Sequence, residues 1–282
     1  MLHRETYLKH IDSKAAPEHS QSLESEGYTV IRDAFELGYI QELRDSMTEV
    51  YETSGIDYRA AHLNEEEQED FRYACFNRSE VAQGVIEQRA ILDVIEPLLG
   101  EDCHVIANTC WRNPPREEAM QGGGRWHIDG GPHVPHDSSI RWDDRIPYPI
   151  FAIGVHIFLK DCPMACGPTA VIPGSHKSGE PPPPNRGRSM KLTCYDRGLV
   201  ALEAKAGDIA MFVSDVWHRR LPTQEDDTGR FFIQVHYARR DIAQRVLPTD
   251  DVNHLSERAI QYAKTDRQKT IIGLHKKGFY DG

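Results

Sequence analysis

The sequence Arg-Trp-His-Ile-Asp-Gly-Gly occupies residues 125–131, near the middle of the chain. His127 and Asp129 are two positions apart, so on an extended strand both side chains project to the same face. The glycines at 130 and 131 let the backbone turn away and leave space beside that face. One imidazole nitrogen and one carboxylate oxygen are too few to hold a metal ion. A third ligand is therefore expected from elsewhere in the chain, and His218 is the best candidate.

Two histidines and one aspartate are a familiar set of metal ligands. When they occupy one face of an octahedron, three coordination positions stay open, which is the arrangement in non-haem Fe(II) oxygenases. The His-x-Asp tripeptide on its own is common, and most of its occurrences are surface or hydrogen-bonding pairs. The residues further along the chain favour the metal site over that alternative.

Composition limits the class of protein. The chain has 282 residues, 39% of them hydrophobic, enough for one large domain or two small ones. Its formal net charge of −11 argues against nucleic-acid partners and against anionic membranes. Residues 1–14 lack the apolar run of a secretory signal, and no stretch approaches the roughly 20 apolar residues of a membrane span. The six cysteines are expected to be reduced thiols in a cytoplasmic protein.

The first hundred residues are predicted to be mainly helical. Residues 1–22 are predicted to form a loose polar arm with one turn of helix, and residues 27–35 a short strand rich in β-branched and aromatic side chains. Apolar residues spaced three and four apart predict amphipathic helices over residues 38–53 and 79–99. The acidic residues 56–74 between them are expected to form a solvated helix face or a loop.

After residue 100 the sequence changes to short apolar runs separated by turns, a pattern typical of an antiparallel sandwich or barrel. The predicted strands cover residues 103–109, 150–159, 199–204, 208–213, 217–219 and 231–237. Helical character returns over residues 240–265, and the last residues are basic and irregular. We predict a mainly β fold with flanking helices, a cupin-like jelly roll in a single domain. Its parts are a helical region 1–100, a β core over about 101–240 and a helical extension 241–282.

Several motifs together resemble one known family. They are Trp126-His127-Ile128-Asp129, the run Cys-Gly-Pro-Thr-Ala-Val-Ile-Pro-Gly-Ser-His at 166–176, Gly207-Asp208, Trp217-His218 and Arg230. Over roughly residues 23–240 this pattern is similar to the phytanoyl-CoA dioxygenase family. The resemblance implies a double-stranded β-helix fold and an oxygenase that uses Fe(II), 2-oxoglutarate and O2.

The resemblance also implies roles for individual residues. His127, Asp129 and His218 match the iron ligands of the family. Arg230 matches the arginine that holds the distal carboxylate of 2-oxoglutarate. A guanidinium suits that role because it grips a carboxylate through two parallel charge-assisted hydrogen bonds. The alternative for Arg230 is a surface salt bridge, for instance to an acidic residue at 225 or 226.

Five other polar residues carry weaker assignments. Asn108 and Thr109, on the strand before the iron motif, could hydrogen-bond the cosubstrate carboxylate, as a polar residue on that strand does in the family. His176 is not an iron ligand in the family and is expected to be structural, and His156 is expected to lie inside the barrel. Arg220 departs from the family pattern, because relatives often carry a small hydroxyl residue there, near the cosubstrate.

The implied reaction is oxidation of an unactivated C–H bond of a small metabolite, with release of succinate and CO2. Hydroxylation is the expected outcome, and desaturation, cyclisation or demethylation would begin from the same hydrogen abstraction. Related halogenases replace the iron-binding carboxylate with a small residue, so Asp129 predicts no halogenation. Residues 131–149 and 180–190 are candidate lids over a small-molecule substrate. The sequence leaves open whether the protein forms a homodimer.

The sequence alone leaves two alternative functions to consider. A cupin-type hydrolase or isomerase could hold zinc or manganese with the same three ligands, although it would not need Arg230. A non-catalytic jelly-roll module that binds sugars, or a sensor that has lost catalysis, would not need an intact triad.

Overall fold

Two antiparallel sheets form the centre of the fold. The computed structural model describes residues 18–53, 71–116, 123–242 and 255–276. The strands in these ranges are β1 (Tyr28–Ile31), β2 (Phe71–Tyr73), β3 (His104–Asn113), β4 (Ala152–Phe158), β5 (Thr169–Val171), β6 (Val200–Ala201), β7 (Ile209–Val213), β8 (His218–Arg220) and β9 (Arg230–Ala238). The larger sheet has the order β1-β7-β4-β9-β3-β2, and the smaller sheet has the order β6-β5-β8.

Strand β4 is buried along its whole length because both of its faces are covered. Ile153 and Val155 belong to the main hydrophobic core on one face of the sheet. Gly154 and His156 alternate with them and point into the space between the two sheets. A Cβ atom on Gly154 would lie 3.0 Å from the Phe212 ring, so glycine permits the close packing of that interior.

Helices cover the outer face of the larger sheet. They are α1 (Glu18–Glu26), α2 (Leu37–Thr53), α3 (Glu80–Val85), α4 (Arg89–Leu99), α5 (Glu257–Tyr262) and α6 (Asp266–Ile271). Helix α2 buries Ile40, Leu43, Met47 and Val50, the residues whose spacing predicted it, in the main core. Across the four described ranges, no helix has both the length and the apolar character needed to cross a membrane.

The predicted fold class, mainly β with flanking helices, is confirmed. Every strand predicted after residue 100 has a counterpart, although its ends differ by a few residues. The predicted helix 79–99 is wrong as a single element, since α3 ends at Val85 and α4 begins at Arg89. Residues 84–86 are Gly-Val-Ile, and glycine and β-branched residues weaken a continuous helix.

Three other boundaries differ from the prediction. Residues 18–22, expected in a loose arm with one turn of helix, begin helix α1, which is longer than one turn and continues to Glu26. The end of the acidic segment 56–74 forms β2, whose aromatic residues pair with β3. Among the described residues of the segment 240–265, where helical character was predicted, α5 covers Glu257–Tyr262, and Thr265 caps a further helix, α6, in a capping box with Gln268. Residues 1–17, 54–70, 117–122, 243–254 and 277–282 lie outside the described residues.

A bulge in β3 decides which of its side chains point between the sheets. The register with β9 shifts between Val105 and Ala107. Beyond the bulge, Thr109 lies opposite Gln234, which is on the interior face. Asn108, one residue earlier, points to the opposite face, toward the helices.

Asn108 has a structural role on the helical face. Its Oδ1 accepts a hydrogen bond from the backbone N–H of Phe76 at 3.0 Å. Its backbone carbonyl accepts another from the N–H of Ala74 at 2.7 Å. These bonds fasten the turn Cys75–Asn77 to β3. The structure therefore does not bring Asn108 to the interior, where the sequence predicted a cosubstrate contact.

Replacing Asn108 with alanine should lower the free energy of unfolding by about 1–3 kcal/mol, because the buried N–H of Phe76 loses its acceptor. Urea denaturation of both proteins measures the difference. Asn185→Ala, at an exposed position, is the matched control and should change stability by less than about 0.5 kcal/mol. Equal stability of the Asn108→Ala protein and the parent would contradict the structural role.

Candidate metal centre

The segment around His127 runs alongside strand β8. His127 and His218 exchange two backbone N–H to carbonyl hydrogen bonds, each 3.0 Å long. The backbone N–H of Asp129 donates to the carbonyl of Ser214, also at 3.0 Å. The His127–His218 pair is an isolated antiparallel bridge, so the segment around His127 contacts β8 without forming a regular strand.

Three predicted ligands, His127, Asp129 and His218, come together between the sheets. One ligand atom from each lies within 4.8 Å of the others. The Oδ1 atom of Asp129 is 3.4 Å from Nε2 of His218 and 3.8 Å from Nε2 of His127. The nearest approach is therefore made by the two Nε2 atoms and a single carboxylate oxygen.

Backbone carbonyls fix the tautomer of both histidines. Nδ1 of His127 lies 2.8 Å from the carbonyl oxygen of Arg125, and Nδ1 of His218 lies 2.9 Å from that of Val216. A carbonyl can only accept, so each neutral imidazole carries its hydrogen on Nδ1. The Nε2 lone pairs then point to the shared centre, as metal-ligating histidines require.

Burial and neighbouring charge set the protonation of the site. Burial opposes ionisation of Asp129, but the imidazoles of His218, His236 and His127 outweigh it and hold the pKa of Asp129 well below its usual range. Burial lowers the pKa of His127, and His218 lowers it further. An ionised carboxylate beside neutral imidazoles is the protonation state in which these residues bind a metal cation.

This donor set fits a ferrous ion. Within the part of the chain that the structure describes, it is the one group of three or more His, Cys, Asp or Glu residues that could hold a metal. Two imidazole nitrogens and one carboxylate oxygen suit Fe(II) and leave coordination positions for other ligands. His127 is half exposed and His218 is buried, so the site is accessible on the His127 side.

Arg230 opens strand β9 and lies inside the molecule. The residue is only 6% exposed, in contrast to the surface salt bridge considered above. Its Nε and Nη2 atoms donate to Oδ1 of Asn113 at 3.0 and 2.7 Å, and Nη1 donates to the carbonyl of Gly167 at 3.2 Å. Asn113 lies opposite Arg230 in the sheet, so the pair of strands orients the guanidinium.

The sequence interpretation missed a polar chain on the interior face of β3 and β9. Trp111 and Thr109 both donate to Oε1 of Gln234, at 2.8 and 3.3 Å. Nε2 of Gln234 lies 2.8 Å from Nε2 of His236, whose Nδ1 is 3.7 Å from Oδ2 of Asp129. The signal was present in the sequence, because residues 230, 232, 234 and 236 must share one face of a strand.

The remaining polar candidates have different surroundings. His156 is buried on the interior face against Phe212 and Phe232, and burial lowers its pKa well below the usual range. His176 is buried away from the triad, with its Nε2 2.9 Å from the carbonyl of Glu24. Arg220 is two residues after His218 on β8 and pairs with Thr169.

The first candidate lid, residues 131–149, is anchored to the barrel next to the triad. The backbone N–H of His133 donates to Oδ2 of Asp215 at 2.8 Å, and its Nε2 lies 3.1 Å from Oγ of Ser214. Farther along, Nε2 of His136 lies 3.1 Å from the carbonyl of Lys177. The backbone N–H of Asp129 donates to the carbonyl of Ser214, so the candidate lid and the candidate ligand Asp129 are attached to the same residue.

Several solved structures share this fold. EctD from S. alaskensis, in its apoform, aligns with a TM-score of 0.62 at 18% identity, covering 81% of this chain and 79% of that one. The non-heme alpha-ketoglutarate-dependent epimerase SnoN from nogalamycin biosynthesis aligns at 0.60 and 14% identity, covering 81% and 82%. HygX from Streptomyces hygroscopicus, with nickel and 2-oxoglutarate bound, aligns at 0.59 and 15% identity, covering 81% and 89%.

The sequence itself matches the family model described as Phytanoyl-CoA dioxygenase (PhyH) over residues 23–224. This range contains His127, Asp129 and His218 and ends shortly before Arg230. No curated protein matches the sequence at a significant level. The extent of the family match confirms the predicted enzyme class, a 2-oxoglutarate-dependent dioxygenase, and its cofactors, Fe(II), 2-oxoglutarate and O2. The chain belongs to the phytanoyl-CoA dioxygenase family.

Proposed function

We propose that this dioxygenase oxidises, most simply by hydroxylation, an unactivated C–H bond of a small metabolite and releases succinate and CO2. His127, Asp129 and His218 hold the ferrous ion. Arg230 holds the distal carboxylate of 2-oxoglutarate. When bound, the metal and the cosubstrate supply the activation of O2. The residues of the chain supply binding, orientation and exclusion of water.

One observation carries the proposal. Two Nε2 atoms and one carboxylate oxygen, from segments far apart in sequence, lie within 4.8 Å of one another. Backbone hydrogen bonds fix the tautomer of both imidazoles, and the carboxylate stays ionised. A hydrogen-bonding cluster without a metal would not need both Nε2 lone pairs directed at the same carboxylate oxygen.

The position of Arg230 favours an oxoacid cosubstrate over the hydrolase or isomerase alternative. A buried guanidinium costs free energy unless it meets an anion or several acceptors. Asn113 and Gly167 accept hydrogen bonds from the guanidinium and orient it on the interior face of β9. We infer that this orientation suits the distal carboxylate of 2-oxoglutarate, because a guanidinium can hold a carboxylate through two charge-assisted hydrogen bonds. We include Thr109 in the same pocket, because it faces the interior one strand away from Arg230.

The substrate is proposed to be a small molecule that enters beside His127, under the segments 131–149 and 180–190. Neighbouring structures contain such compounds: 5-hydroxyectoine in EctD and nogalamycin RO in SnoN. Asp129 occupies the coordination position that a halide would need, so the proposal excludes halogenation. A cytoplasmic location and a homodimer belong to the same proposal.

Alanine at His127, Asp129 or His218 should abolish metal-dependent succinate formation from 2-oxoglutarate, because each change removes one of only three protein ligands. The assay contains Fe(II), ascorbate and candidate substrates, and metal stoichiometry is measured on the same samples. His275→Ala removes a histidine of the C-terminal region that contacts His104, and it should leave both readouts unchanged. If the triad variants turn over like the parent, the metal assignment is wrong.

Arg230→Ala should weaken 2-oxoglutarate binding by about 30-fold to 5,000-fold, the range for losing one partner of a buried charge pair. The dissociation constant is measured by calorimetry on the Ni(II)-loaded protein, which does not turn over. Arg112→Ala is the control, since Arg112 neighbours the same strands but packs over Tyr51 on the opposite face. An unchanged dissociation constant for Arg230→Ala would remove this residue from the cosubstrate pocket.

A further inference from the structure

A histidine outside the triad lies against the second oxygen of the aspartate ligand. His236 is buried on the interior face of β9, and its Nδ1 is 3.7 Å from Oδ2 of Asp129. The other oxygen, Oδ1, is the one that approaches the two ligand histidines. The two oxygens of the carboxylate therefore have different neighbours, metal ligands on one side and His236 on the other.

Hydrogen bonding along the interior face determines the tautomer of His236. An indole N–H can only donate, so Trp111 fixes Oε1 of Gln234 as the acceptor at 2.8 Å. The amide nitrogen of Gln234 must then face Nε2 of His236, at 2.8 Å. An amide N–H donates, so Nε2 of His236 accepts. A neutral His236 therefore carries its hydrogen on Nδ1, the atom that faces Asp129.

The sheet makes room for this arrangement. Gly154 on β4 lies directly opposite His236. A Cβ atom at residue 154 would lie 3.4 Å from Cε1 of His236 and 3.0 Å from the Phe212 ring, so a side chain there would press on both rings. Glycine at this position leaves space between the sheets for the His236 ring, whose Nδ1 faces Oδ2 of Asp129.

We propose that His236 is a positioning residue, which presents Nδ1–H to Oδ2 of Asp129 and leaves Oδ1 alone to bind the metal. The chain Trp111–Gln234–His236 transmits this constraint from β3 to the metal ligand. The inference rests on the metal site proposed above and assigns no contact between His236 and the metal. Outer partners that orient a ligand in this way typically contribute 10- to 100-fold to metal affinity.

The test compares Co(II) dissociation constants, read from visible absorption, for variants at residue 236. His236→Phe keeps the ring shape without a donor and should bind Co(II) about 10- to 100-fold more weakly. His236→Asn keeps an N–H where Nδ1 stands and should restore most of the affinity. His104→Phe, which removes a buried histidine from β3, should leave Co(II) binding unchanged. Circular dichroism checks folding of each protein.

The outcomes separate this inference from the proposed function. If the parent does not bind Co(II), the metal site fails and the role of His236 fails with it. If the parent binds but His236→Phe binds equally well, or His236→Asn loses as much as His236→Phe, only the positioning role is overturned. Where His236→Phe does not fold, Trp111→Phe replaces it: a smaller loss of Co(II) affinity supports the chain, and no loss overturns it.

A second measurement tests the tautomer of His236 in the parent protein, without any substitution. Nitrogen-15 NMR of the apo protein and of the Zn(II)-loaded protein reports which ring nitrogen of His236 carries hydrogen. We expect hydrogen on Nδ1 in both forms. Hydrogen on Nε2, or loss of the Nδ1 hydrogen when Zn(II) binds, would overturn the positioning role, because His236 would then be either wrongly oriented or itself a metal ligand.

Discussion

The reciprocal backbone hydrogen bonds between His127 and His218 hold the site together. They join a loop segment to strand β8, and a hydrogen-bonded antiparallel pair places its two side chains on the same face. Two of the three proposed ligands are thus brought together by the main chain, without help from a metal. The bond from Asp129 N–H to the carbonyl of Ser214 adds the third ligand at the correct distance along the same segment.

The electrostatics follow from that placement. Asp129 is a carboxylate in an interior lined by aromatic and small apolar residues, and burial alone would favour its neutral form. The nearby imidazoles of His218, His236 and His127 reverse that preference and hold the pKa of Asp129 below its usual range. The result is one fixed negative charge facing two lone pairs. Such a donor set suits a metal cation, which would accept both lone pairs and the carboxylate oxygen at once.

The sequence predicted those parts of the fold and site that depend on local patterns. The spacing of His127 and Asp129 and the apolar runs of the strands could be interpreted without coordinates, and the family resemblance suggested Arg230. Asn108 and Thr109 could not be separated, because the bulge before Ala107 inserts one residue and reverses which side chains face inward. The bulge depends on pairing with β9, far away in sequence, so no local pattern could reveal it.

Strand β9 illustrates how one short segment serves both stability and chemistry. Its odd-numbered residues, such as Ile233 and Val235, pack in the helix-covered core. Its even-numbered residues, from Arg230 to His236, line the interior from the proposed cosubstrate pocket to the proposed ligand Asp129. A one-residue slip of β9 would therefore exchange the two sets and bury charges among the helices. Both the core and the site require the same register, so the packing that stabilises the fold also fixes the distance between the guanidinium and the triad.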